Sequence, residues 1–245
     1  PLALENNISS ISVEDVNSDN SINWIKEKKP DIIFCFGWSR ILKKGLLSIP
    51  KIGVIGYHPS LLPNNRGRHP IIWSLVLGLQ ETGSTFFIMD EGVDSGDIIS
   101  QRVVPISFDD TALTLYKKLE LIAADQLLEL LPSISNRTFK RIKQNTSFSN
   151  SWRKRSNIDG LIDWRMSSLS INNLVRALTK PYCGAYFKFK GVTITVWEVK
   201  SEKLFLSNNE PGKVLDKKNN SLIVKTGDGA LSLTKIEPNI SPDIN

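Results

Sequence analysis

Two cysteines, two histidines and two methionines are all that this 245-residue chain holds of those side chains. Cys35 and Cys183 could close at most one bridge, so a disulfide-stapled fold is excluded. His58 and His69 together with those thiols match none of the familiar zinc spacings. No run reaches the roughly 18 to 20 consecutive apolar residues that a membrane-spanning helix needs. No basic start followed by an apolar run marks a signal peptide, and no internal repeat is present. These absences lead to the expectation of a soluble, cytoplasmic, metal-free protein. Hydrophobic residues make up 40% and charged residues 23%, enough for one large core or two modest ones.

Charge is unevenly distributed. Residues 1–136 carry 12 basic and 16 acidic side chains, net −4, whereas residues 137–245 carry 19 and 9, net +10. The basic surplus favours an anionic partner, nucleic acid or the phosphates of a nucleotide sugar; scattered lysines on a solvated face are the plain alternative. The chain opens at Pro1 rather than Met and runs PLALENN into a helix-like segment, so a continuation upstream is expected. The C-terminal LSLTKIEPNISPDIN reads as cut in the same way.

Strand and helix patterns alternate over residues 20–131. INWIKEKK reads as a short helix, and KPDIIFCFGW carries an apolar run from Ile32 to Phe36, ending at Gly37, as a buried parallel strand does. SRILKKGLLSIP follows as a helix stopped near Pro50, KIGVIGYHPSLLP as a strand and loop, and HPIIWSLVLGL as a largely buried helix. ETGSTFFIM is a strand, EGVDSGDIISQRVVPI a Gly-rich turn with a further strand pair, and TALTLYKKLELIAADQLLELL a helix with Thr111 as its cap. The pattern predicts an α/β layer with a mostly parallel sheet. Ligands of such sheets sit beyond the carboxyl ends of the strands, here just after Phe36, Gly56 and Met89.

From about residue 137 the texture changes. A polar, basic linker, RTFKRIKQNTSFSNSWRKR, leads to the helix SINNLVRALTK and then to the strand-like runs AYFKFK, VTITVWEV, GKVLD, SLIVKTG and ALSLTKI. A small β barrel or meander is expected there. The chain thus divides into residues 1–136, a linker over 137–155 and a second domain over 156–245.

Taken singly, the polar residues are ambiguous. His58, in a strand-to-loop segment, reads equally as a structural hydrogen-bonder, and Asp94 as a turn aspartate or part of a calcium loop, although the ligand pattern of a calcium hand is missing. Trp73 sits on an apolar helix, as a core residue does.

Their combination is more specific. HPSLLP, followed by RG and then, 36 residues after His58, by Asp94 within DEGVDSG, resembles the signature of the 10-formyltetrahydrofolate-dependent formyltransferases. That family includes methionyl-tRNA formyltransferase, glycinamide ribonucleotide formyltransferase and the aminosugar N-formyltransferases. GWSRIL, KRSNIDGLIDW, NLVRALTKPYCGAY, VTITVWE, PGKVL and TGDGAL extend the resemblance over nearly all of residues 30–236. It implies a Rossmann-like formyltransferase domain that lacks its first strand-helix-strand unit, followed by a small C-terminal barrel-like domain.

The resemblance also implies roles. An amine attacks the formyl carbon of 10-formyltetrahydrofolate, creating an oxyanion that needs donors and an ammonium that must lose a proton. His58 would donate to the oxyanion, and Asp94 would orient the imidazole and help receive the proton through water. The folate pterin would be held by backbone groups near Arg40, Ile41 and Leu42 and by the turn of Glu91, Gly92, Val93 and Asp94, with Gly92 and Gly96 permitting close approach. Arg66 and Arg68 are candidates for phosphate contact, with a solvated or internally paired arginine as the alternative. The family's Asn-x-His reads Gly56-Tyr57-His58 here, which leaves three explanations: a subgroup that replaces the amide by water, backbone or a side chain such as Asn64 or Asn65; a slower enzyme; or an inactive homologue.

RGRHPIIWSLVLGL looks closer to the sugar enzymes, which makes a nucleotide-linked aminosugar the first acceptor. Methionyl-tRNA is the alternative and is supported by the basic C-terminal half. An inactive folate-binding module is the third reading, and a homodimer is open in each.

Overall fold

The computed structural model describes residues 2–203, 208–218 and 221–239. Pro1 and the terminal ISPDIN, on which the expectation of a longer chain rests, lie outside the described residues. In chain order the elements are α1 (Leu2–Glu5), α2 (Asp19–Glu27), β1 (Ile32–Cys35), α3 (Lys44–Leu47), β2 (Gly53–His58) and β3 (Arg66–Gly67). α4 (Pro70–Val76), β4 (Glu81–Ile88), β5 (Ile98–Pro105), α5 (Ala112–Ser135), β6 (Ser151–Trp152) and α6 (Ser168–Leu178) follow. The chain ends in β7 (Ala185–Phe189), β8 (Val192–Glu202), β9 (Val214–Lys218), β10 (Ser221–Lys225) and β11 (Ala230–Glu237).

The class is α/β, as expected, with one correction to the sheet. β1, β2, β4 and β5 pair in that order, but only β1 and β2 are parallel; β4 runs antiparallel to both β2 and β5, so the sheet is mixed rather than mostly parallel. The connection from β2 returns the chain to the carboxyl end of that strand, so β4 enters beyond His58 and runs back along β2 with Thr85 opposite His58. EGVDSGD then makes a single turn into β5 rather than a strand pair.

α5 covers this sheet. Ala112, Leu115, Leu119, Leu130 and Ile134 recur on its buried side, and Thr111 caps it with Thr114 in a reciprocal capping box. Buried Gln126 ties the helix to the strands by donating to Ser84 O at 3.3 Å and to Ser100 Oγ at 2.9 Å. The five strands expected near the C-terminus form one antiparallel sheet in the order β7-β8-β11-β10-β9, which leaves β7 and β9 as edges among the described residues. A single core links the two parts. Ile72 and Leu75 of α4, Leu115 of α5, Leu174 and Leu178 of α6, and Ile194 and Leu231 of the second sheet belong to one cluster. Each such side chain contributes roughly 1.5–3 kcal/mol when fully buried. No helix among the described residues is long and apolar enough to cross a membrane.

The β4–β5 turn depends on a close backbone approach. A Cβ at Gly96 would collide with Ile88 O, a backbone atom that cannot rotate away, whereas one at Gly92 would meet the movable Ser95 Oγ. Gly96→Ala should therefore cost roughly 1–3 kcal/mol in thermal unfolding and Gly92→Ala clearly less. Equal effects of the two substitutions would contradict this account of the turn.

Candidate active site

His58 is the last residue of β2 and is buried, at 5% exposure. Its Nε2–H donates to Asn65 O at 2.8 Å, and its Nδ1 lies 3.6 Å from Asp94 Oδ2. Asp94 Oδ2 also accepts the Gly67 N–H at 2.8 Å. The two residues nominated from sequence are thus brought together, on the floor of a cleft of about 240 Å³. Gly37, Trp38 and Ser39 border this cleft on the β1 side, Met89 and Asp94 on the β4 side, and Arg68 and His69 at its mouth. It opens beyond the carboxyl ends of β1 and β2, the ligand position of open α/β sheets.

Several backbones here are held in the left-handed region. Asn65, His69 and Asp94 have φ of 63°, 55° and 50°. Such residues cost of order 1 kcal/mol or more each and persist where the surroundings over-determine them.

The over-determination comes from the segment read from sequence as a linker. Ile142 exchanges two backbone bonds with Ile98 at 2.9 Å. Gln144 Nε2 donates to Asp94 O at 2.9 Å and to Gly96 O at 2.7 Å, while its Oε1 accepts from Arg66 Nε at 3.2 Å and Nη2 at 2.6 Å. Asn150 Oδ1 accepts the Asn65 N–H at 2.6 Å. β6 then pairs in parallel with β3, placing Ser151 opposite Arg66 and Trp152 opposite Gly67. Residues 142–152 are a strap across the site. Sequence reasoning missed Gln144 and Asn150 because neither belongs to the motif around His58. Their only signal was a polar segment with few helix or strand preferences.

Gly56 has a physical explanation. A Cβ there would lie 2.9 Å from Met89 Cγ and from Cε1 and Cζ of Phe87, so those side chains fill the space into which an asparagine would project. Asn64 is exposed, and Asn65 serves the site through its backbone. Ser39 and Trp38, which border the cleft, were not singled out individually from sequence.

The remaining nominated residues flank the cleft. Leu42 is buried in a cluster with Leu46 and Val54, so only its backbone is available. Arg40 donates through Nη1 to Glu14 O, and Ile41 O accepts from Asn17 Nδ2 at 3.1 Å. Glu91, Gly92 and Val93 are exposed on the β4–β5 turn. Arg66 is committed to Gln144, whereas Arg68 is exposed and borders the cleft. Trp73 gives its Nε1–H to Arg153 O at 2.9 Å and stacks under Arg155, whose guanidinium carbon is 4.6 Å from the ring centroid. Burial, and then Arg68, Arg155 and Lys154, hold the His69 imidazole below the usual histidine range.

Gln144→Leu removes the donor to two carbonyls and the acceptor for Arg66 at once. A loss of roughly 2–4 kcal/mol is expected, together with faster amide hydrogen exchange at Gly67 and across residues 92–97. Unchanged exchange at Gly67 would contradict the strap's control of the Asp94 turn.

Comparison with known proteins agrees with the geometry. Residues 6–131 match the formyl transferase family model and residues 154–243 the model of the formyl transferase C-terminal domain. The chain is 38% identical over 214 residues to the bifunctional polymyxin resistance protein ArnA of Wigglesworthia glossinidia brevipalpis, covering 87% of this chain and 32% of that protein. It therefore spans about a third of that relative. It is 35% identical over 237 residues to the methionyl-tRNA formyltransferase of Caldanaerobacter subterraneus subsp. tengcongensis, covering 96% of this chain and 76% of that protein. The solved N-formyltransferase from Helicobacter canadensis, in complex with folinic acid and dTDP-3-aminofucose, shares the fold with a TM-score of 0.71 at 24% identity, over 94% of this chain and 80% of its own. With family models over both of its parts, this chain belongs to the formyl transferase family.

Proposed function

We propose that this protein transfers a formyl group from 10-formyltetrahydrofolate to the amine of a nucleotide-linked aminosugar in the cytoplasm, with His58 and Asp94 as the catalytic pair. The observation that carries formyl transfer is the buried His58 imidazole, with Nδ1 3.6 Å from Asp94 Oδ2 at the floor of the cleft. As an amine attacks the formyl carbon, a negative oxygen develops. The Nε2–H now given to Asn65 O is the donor that this oxygen would compete for. Asp94 Oδ2 is taken up by Gly67 and faces His58, which leaves Oδ1 to receive the ammonium proton through water. Trp38 and Ser39 border the same cleft and carry side-chain donors, which makes them candidates for the donor that Gly56 does not supply.

The residues suit the folate donor. Among the described residues, the backbone N–H groups of Trp38, Ser39, Arg40 and Ile41 donate to no protein acceptor, and the same holds for Glu91 and Val93. All six residues are exposed, and a planar ring rich in hydrogen-bonding groups can take the place of the water that otherwise meets such donors. Arg40, Ile41, Leu42, Glu91, Gly92 and Val93 would act here through backbone, as the resemblance implied. For phosphate contact we retain Arg68, while Arg66 positions the strap.

The cationic surroundings of His69 favour an anionic acceptor, and a neighbour of the same fold is solved with folinic acid and dTDP-3-aminofucose. The second reading, methionyl-tRNA as acceptor, draws on the relative named for that activity and on the basic C-terminal half. Purified protein with 10-formyltetrahydrofolate is expected to formylate at least one of a panel of dTDP-, UDP- and GDP-linked amino sugars and to leave initiator methionyl-tRNA unmodified. The reverse preference would overturn the aminosugar reading. Release of no tetrahydrofolate with any acceptor would favour an inactive folate-binding module.

A further inference from the structure

A second cavity, of about 360 Å³, adjoins the cleft and shares Pro59, His69 and Pro70 with it. Ile71 of α4, Tyr116 of α5, Leu178 of α6 and Tyr182 make its apolar walls, and Arg155 its cationic one. Its volume lies within the range of small-molecule sites, roughly 300–1,000 Å³.

Two features of its polar side are unresolved by the protein itself. Arg155 is 8% exposed, and its guanidinium has one hydrogen bond, from Nη2 to Asp159 O at 2.5 Å, and no carboxylate within ion-pair distance among the described residues. Asp159, the nearest acid, is already taken by both terminal nitrogens of Arg153 and by the Ser156 N–H. His69 Nδ1, at the seam between the two cavities, is buried with no hydrogen-bond partner. A buried cation without a counter-ion and a buried nitrogen without a partner are both unfavourable, and an anion at the seam relieves both.

Resting on the reading of the acceptor given above, we infer that this cavity holds the nucleoside diphosphate arm of the acceptor. Arg155 and His69 meet its phosphates, and the nucleoside lies against Tyr116 and Tyr182. The shared wall of Pro59, His69 and Pro70 then sets the span from phosphate to reacting amine, so the sugar reaches His58 while the nucleotide stays outside the chemistry. This role falls to Arg155, in the basic segment after the strap, rather than to Arg66, whose guanidinium is spent on Gln144.

Titration calorimetry of the full chain with dTDP, UDP and GDP tests the inference, with 5-formyltetrahydrofolate as the control ligand. At least one diphosphate is expected to bind, to lose about tenfold or more in affinity in Arg155→Met, and to recover most of it in Arg155→Lys, while folate affinity stays unchanged. His69→Gln, which leaves Arg155 on Trp73, is expected to weaken the same diphosphate severalfold and keeps the test open if Arg155→Met fails to fold. Binding of no diphosphate, or equal binding by all variants, overturns the inference. The acceptor reading fails separately: if no amino sugar is formylated yet Arg155-dependent diphosphate binding stands, the cavity is a nucleotide site serving another acceptor. If an amino sugar is formylated with a KM indifferent to Arg155 and His69, the site is wrong and the reading survives.

Discussion

Gln144 holds three groups with one amide. Its nitrogen fixes the carbonyls of Asp94 and Gly96, its oxygen fixes Arg66, and between these anchors the Gly67 N–H reaches the Asp94 carboxylate that faces His58. Asp94 in a left-handed conformation and a histidine bonded to the carbonyl of Asn65, also left-handed, do not hold themselves in place. In the role proposed for His58, a donor held in place beforehand is worth more than one that must be rearranged during the reaction. The strap supplies that rigidity from a part of the chain remote in sequence, 50 residues beyond Asp94.

The strap also explains why the two parts of the molecule work as one. It leaves the β4–β5 turn, pairs with β3, and passes under Trp73 before delivering Arg155 to the seam beside His69. α4, α5 and α6 then bury a common core below it. Relative motion of the two sheets would therefore be felt at Asp94 and at the second cavity together.

Much of this was legible in the sequence. The Thr111 cap, the apolar run of β1 and the five C-terminal strands follow from local patterns that tertiary contacts did not override, whereas the pairing of His58 with Asp94 came from the resemblance to the formyltransferase signature. The direction of β4 was not legible, because it depends on where the long connection after β2 delivers the chain rather than on the composition of the strand. The roles of Gln144, Asn150 and Arg66 were hidden for a different reason. A polar side chain in a segment without periodicity gives no sign of which carbonyl it will meet. Gly56 was visible as a departure from the family, but the filling of the space beside it by Phe87 and Met89 required the packing.

The central claim is that His58 and Asp94 act as a single catalytic unit. A double-mutant cycle on kcat/KM for formyl transfer, with His58→Ala, Asp94→Asn and the double variant, tests it most directly. Each single change should cost roughly 100- to 1,000-fold, and the double variant should be about as slow as the worse single one. Costs that multiply in the double variant would show two independent contributions and contradict the account.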